Sequence, residues 1–220
     1  MSRTSWLVSA ALLGAVLYLC AVANQMPWLA LASKPIPVLA LLIWLGSAER
    51  TTYRHWIMLG LGFSLVGDIF LVLPADLFVF GLSAFLCAHL CYLAGYLGRT
   101  RRTARTALLF SLAVGGTLFA LLASHGLGPL LVPVALYALA IGCMLWRALA
   151  CGGLAALGAC LFVFSDAMIG IDRFVSTFAW APYLIILAYW LGQWLISASV
   201  VRSSTDKVLI HSGTRSPGSC

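Results

Sequence analysis

Long apolar runs separated by short polar connections dominate this chain, and each run is close to the about 20 residues that an α-helix needs to cross a bilayer. Eight such runs are present, at roughly 5–23, 33–47, 55–74, 76–97, 106–124, 127–146, 152–171 and 177–200. The pattern predicts an all-α fold, a polytopic membrane bundle of about eight transmembrane helices, in a single domain over 1–200. The second run is the shortest and begins at Lys34-Pro35-Ile36-Pro37. Proline suits a first helical turn, where its missing N–H would have no partner anyway, so these residues are expected to open the span. No span carries a clear mid-membrane interruption. Residues 201–220 are rich in Ser, Gly and Thr with charges of both signs, and read as a disordered polar tail.

Composition agrees with the pattern. Of 220 residues 63% are hydrophobic and 9% charged, whereas a soluble domain carries about 25% charged residues to solvate its surface. Arg3, the first apolar run and Ala21-Val22-Ala23 would also fit a cleavable signal peptide; with seven further spans following, an ordinary first span is the expectation. The net charge of +7 does not mark a nucleic-acid partner, because the basic residues sit in connections and form no contiguous face. Their placement reports topology. With the N-terminus inside, the inner segments collect Arg3, Arg50, Arg54, Arg99, Arg101, Arg102, Arg105, Arg147, Arg202, Lys207 and Arg215, which is 11 of 13 basic residues. Lys34 and Arg173 remain outside. Both termini are therefore expected inside, in a bacterial inner membrane, or in the endoplasmic reticulum for a eukaryotic source.

An offset of 98 residues lays Asp68 on Asp166, Gly67 on Ser165, Pro35 on Pro133 and Tyr92 on Trp190. This is consistent with two parallel halves of four spans each, and also with chance among apolar segments.

Ionisable groups inside spans are costly unless paired, hydrated or neutral, so they are the first candidates for function. Asp68 and Asp166 lie at similar depth in spans three and seven, which run in the same direction, and a shared cavity is expected for them. Two carboxylates in a poorly hydrated site can divide acid and base work; bonding to a neighbouring helix is the plainer alternative. Lys34 is either a partner for anionic groups or a snorkelling interfacial anchor. His89 and Tyr92 share one face of span four, and Tyr189 and Gln193 one face of span eight, where interhelical hydrogen bonds would equally explain them. Asp76, Asp172 and Arg173 read as charges of the outer interface. Cys20, Cys87, Cys91, Cys143, Cys151, Cys160 and Cys220 are scattered and read as small packing residues with no disulfide framework or metal-ligand spacing. HExxH, GxSxG and phosphate-binding glycine loops are missing from the sequence. Carboxylate chemistry on a substrate arriving from lipid remains, or a small proton-coupled transporter or lipid-handling protein using the same carboxylates.

These residues also carry a resemblance. Lys34-Pro35, Gly67-Asp68, Phe80-Gly81-Leu82, Phe85, His89 and Tyr92 are followed by Gly158-Ala159, Phe162, Ser165-Asp166, Arg173-Phe174, Tyr189 and Gln193-Trp194-Leu195-Ile196. In that order and spacing, over about residues 33–197, the chain resembles the YhhN/TMEM86 family, whose characterised members are lysoplasmalogenases. The family usually shows an alanine before the late glutamine, where this chain has Gly192. The resemblance implies a lysophospholipid substrate, a lysoplasmalogen, cleaved at its vinyl ether bond to a fatty aldehyde and a glycerophospho-ethanolamine or -choline. On that basis Asp68 and Asp166 form the acid/base pair, and Lys34, His89, Tyr92, Ser165, Tyr189 and Gln193 shape a substrate pocket. No cofactor or metal is required by this chemistry.

Overall fold

An α-helix satisfies its backbone hydrogen bonds within itself, as a continuous apolar segment in lipid requires, and the computed structural model is helical accordingly; it describes residues 3–73 and 75–213. Nine α-helices are present among the described residues: α1 (Arg3–Ala23), α2 (Pro27–Ser33), α3 (Ile36–Gly46), α4 (Thr52–Val72), α5 (Phe78–Arg99), α6 (Arg105–Ser124), α7 (Leu131–Cys151), α8 (Gly153–Phe174) and α9 (Ala181–Gly213). They supply eight segments long and apolar enough to cross a membrane. The chain is a multi-pass, all-α membrane protein.

Two boundaries differ from the sequence pattern. The second span begins at Pro27 and ends at Gly46, so Pro27 takes the first-turn position expected of Pro35. Lys34-Pro35 instead forms an interruption inside the span, between α2 and α3. Pro35 and Pro37 cannot donate to the carbonyls one turn back, which breaks the helical ladder there. Lys34 is thereby placed in the interior, 8% exposed. At the other end of the chain α9 continues to Gly213, past residue 200 and into the segment expected to be disordered. No proline falls between Pro182 and Gly213 to stop it; residues 214–220 lie outside the described residues.

The most extensively packed pairs are α4 with α5 and α8 with α9, which are the pairs that the offset of 98 residues relates. Small residues permit this closeness. A Cβ on Gly158 would stand 2.7 Å from the Gly192 carbonyl oxygen, and one on Gly192 would stand 2.9 Å from that of Gly158. The backbones of α8 and α9 therefore meet at mutual glycines. Tyr92, Tyr96, Phe162, Met144 and Ile57 fill the centre of the bundle with no exposure beyond 0%. Leu109, Leu112, Val132, Leu139 and Trp28 point outward, as acyl chains require.

Arginines also close the connections at one end. Arg54 donates to the carbonyls of Leu45 (2.6 Å) and Gly46 (2.9 Å) at the C-terminal end of α3. Arg147 lies within the last turns of α7, 3% exposed, and donates to the carbonyls of Arg102 (2.8 Å) and Thr100 in the α5–α6 connection. The opposite, arginine-poor end is where the candidate site lies.

Candidate active site

The kink in the second span brings Lys34 to Asp68 of α4. Their Nζ and Oδ1 atoms are 3.3 Å apart, with side chains 10% and 2% exposed. Tyr189 of α9 donates to the other oxygen, Oδ2, at 2.7 Å. Each charge so deeply buried requires its partner, since an unmatched one would carry the full desolvation cost. Asp68 is therefore held by two separate parts of the chain, the kink of the second span and α9, through interhelical contacts of the plainer kind that the sequence leaves open.

Asp166 of α8 has its own partners. His89 Nε2 of α5 lies 2.8 Å from Oδ2, and the Tyr137 hydroxyl of α7 donates to the same oxygen at 2.6 Å. His89 Nε2 and the Tyr137 oxygen are 3.0 Å apart. His89 is fully buried, and its Nδ1 has no partner among the described residues. The proton therefore belongs on Nε2, where the carboxylate accepts it, because an N–H at Nδ1 would be orphaned. Both donors converge on Oδ2, and no hydrogen bond among the described residues reaches Oδ1. Tyr137 escaped the sequence reading. Its only signal was a hydroxyl-bearing ring in the middle of the otherwise apolar run 131–142, and tyrosine is too common near membrane interfaces for that to stand out.

The remaining predicted site residues are brought near but turned to other partners. The Tyr92 hydroxyl donates to Gln193 Oε1 at 2.8 Å, and Gln193 Nε2 donates to Ser64 Oγ at 3.0 Å. This closed triangle ties α4, α5 and α9 together with no exposure at any member. Ser165 donates to the Ile185 carbonyl at 2.9 Å, bridging α8 to α9. Phe162 stands among these groups. Its ring lies 4.8 Å from His89, 5.4 Å from Tyr189, and 6.0 Å from both Tyr92 and Phe85.

A cavity of about 60 Å³ opens beside Asp166, larger than a single water needs. Asp166 and Tyr137 supply its polar groups, and Leu71, Phe78, Phe85, Leu122 and Phe174 are among its apolar walls. Asp68 does not line it. The shared cavity expected for the two aspartates is thus replaced by two polar clusters with Phe85 and Phe162 packed between them. A carboxyl that lines an apolar cavity, with one oxygen fixed by two donors and the other without a hydrogen bond among the described residues, is suited to giving a proton to a lipid group and taking one back from water.

The sequence is similar to those of known proteins. A sequence model described as the YhhN family matches residues 29–200. Human lysoplasmalogenase TMEM86B is 37% identical over 186 residues, covering 84% of this chain and 80% of that protein. The rat lysoplasmalogenase TMEM86B is 34% identical over 181 residues, 82% and 76% of the two chains. A lysoplasmalogenase of Mycobacterium tuberculosis is 37% identical over 166 residues, 64% of this chain and 62% of its own. No solved structure matches.

Proposed function

The chain belongs to the YhhN family, and on that premise we propose that it is a lysoplasmalogenase, hydrolysing the vinyl ether bond of a lysoplasmalogen to a fatty aldehyde and a glycerophospho-ethanolamine or -choline. The observation that carries this reading is Asp166, a carboxyl at the wall of an otherwise apolar cavity with Oδ2 held by His89 and Tyr137.

A vinyl ether breaks once its β-carbon is protonated. The Asp166 carboxylic acid gives that proton from Oδ1, the C=C pair forms the new C–H bond, and an oxocarbenium ion remains at the carbon bonded to oxygen. Water adds there, and the Asp166 carboxylate takes the released proton, which restores the acid. The hemiacetal so formed separates into aldehyde and glycerol hydroxyl. His89 and Tyr137 keep the carboxyl pointed at the cavity throughout and delocalise the negative charge it acquires. Asp68 works from behind the wall: with Lys34 it anchors Tyr189, whose ring packs 5.8 Å from Phe85, a residue of the cavity wall. Asp68 is thereby a positioning residue, and Asp166 the residue that meets substrate.

Purified protein in detergent is expected to release aldehyde from a lysoplasmalogen. Asp166→Asn is expected to lower turnover by about 10²- to 10⁴-fold, the usual worth of a general acid, and Tyr137→Phe by about tenfold, one hydrogen bond to a charged group. Wild-type rates in folded Asp166→Asn would remove the assignment. Transport of the intact lipid across proteoliposomes without aldehyde would replace hydrolysis by movement of the substrate.

A further inference from the structure

We propose that Arg173 and Asp76 form a headgroup subsite at the rim of the Asp166 cavity, with Arg173 taking the phosphate and Asp76 the ammonium of a zwitterionic lysophospholipid. This rests on the lysoplasmalogenase reading and extends it to the polar end of the substrate.

Among the described residues the arginine-poor end carries two cationic side chains, Lys34 and Arg173, and Arg173 is the more open to an anion from solvent. Its companion there, Lys34, is buried on Asp68. Arg173 Nη2 contacts both Asp76 oxygens, Oδ1 at 3.1 Å and Oδ2 at 2.9 Å, but the two side chains are 46% and 71% exposed. An ion pair so open to solvent is weak, so a phosphate can take the guanidinium at little cost, with paired hydrogen bonds that suit its geometry. The guanidinium carbon also stands 5.1 Å over the Phe78 ring. Phe78 packs edge-on against Phe174 at 5.7 Å, and both rings line the cavity that holds Asp166. The cation is thus fixed to the cavity wall at its solvent-facing end.

The spacing matches the substrate. Arg173 follows Asp166 by seven positions on α8, almost two helical turns, so the residues share a face with about 10 Å of rise between them. In a lysoplasmalogen, phosphorus and the vinyl β-carbon are separated by seven covalent bonds, about 8 Å when extended. A phosphate on Arg173 therefore hangs the reacting carbon at the depth of Asp166 Oδ1. Asp76, released from Arg173, lies on the solvent side, where the ammonium of the headgroup extends. The two charges complement the two charges of the headgroup in the same order.

Binding to the full-length protein in detergent tests this without requiring turnover. The probes are three saturated ethers that lack the reactive bond: 1-O-hexadecyl-glycerophosphoethanolamine, 1-O-hexadecyl-glycerol 3-phosphate and 1-O-hexadecylglycerol. Arg173→Gln is expected to weaken the first two by on the order of ten- to a hundredfold, a lost charged hydrogen bond, and to leave the third unchanged. Asp76→Asn is expected to weaken the phosphoethanolamine ether several-fold while leaving the glycerol phosphate ether as tight or tighter. Equal affinity of wild type and Arg173→Gln for all three probes would overturn the subsite, as would equal weakening of all three. In parallel, Arg173→Gln is expected to raise KM for lysoplasmalogen with kcat nearly unchanged. A wild type that binds the probes in the expected order but releases no aldehyde would refute the hydrolase reading and leave the subsite standing.

Discussion

At the scale of the residue, the two intramembrane aspartates have different partners and so different work. Asp68 is bound to a lysine and a tyrosine and is 1% exposed; Asp166 lines a cavity. The Lys34–Asp68 pair yields a stability prediction. Asp68→Asn leaves a buried ammonium without its counter-charge, a loss of about 3–5 kcal/mol, and Lys34→Met leaves the carboxylate in the same position. Removing both charges together in Lys34→Met/Asp68→Asn is expected to recover most of that loss, read as thermal unfolding in detergent. Additive losses in the double variant would show that the two side chains do not act as a pair. The polar residues read from the sequence were legible because a membrane span makes any polar group conspicuous. Their partners were not, because which oxygen meets which hydroxyl depends on helix rotation.

At the scale of the element, α8 is held against α9 by backbone contact at Gly158 and Gly192 and by the Ser165–Ile185 bond. This contact sets how far Asp166, on α8, stands from the Tyr189 and Gln193 face of α9. A methyl at Gly158 would also meet the Ile196 amide nitrogen at 2.8 Å, and backbone cannot turn aside as a side chain can. Gly158→Ala is expected to cost about 1–3 kcal/mol, the range for overpacking. Gly192→Ala is expected to cost less, since its nearest contact is longer, 2.9 against 2.7 Å. Thermal unfolding of the two variants side by side checks the order, and a less stable Gly192→Ala would contradict it. The break at Lys34-Pro35 is the other decisive element feature. Two prolines and a lysine were visible in the sequence, but not the preceding turn Pro27–Ser33 that makes them an interior kink rather than a start.

At the scale of the whole molecule, the chain sorts its charge by end. The arginines gather at one pole, where Arg54 and Arg147 also cap loops and helix termini, and Asp68, Asp76, Asp166, Asp172, the cavity and Arg173 gather toward the other. With the positive-inside bias, the cavity is expected to face the non-cytoplasmic half of the membrane. In a bacterial host, a fluorescent protein joined after Thr103 should fluoresce, and an alkaline phosphatase joined after Leu127 should be active. The reverse pattern would invert the orientation and move the proposed headgroup subsite to the cytoplasmic leaflet.

The sequence by itself determined the eight spans, because bilayer thickness fixes their length and lipid excludes polar backbone. It also determined the suspects Asp68, Asp166, Lys34, His89, Tyr92, Tyr189 and Gln193, because each is an exception to that exclusion. Only the tertiary structure divided these suspects. It gave Lys34 and Tyr189 to Asp68, and His89 and the unforeseen Tyr137 to Asp166. It closed Tyr92, Gln193 and Ser64 on one another, and it opened a cavity that Asp166 lines and Asp68 does not. The physical reason is directional. Burial cost is a property of a residue type and can be read along a chain, whereas hydrogen-bond partnership and access to a cavity depend on how neighbouring helices rotate and kink against each other.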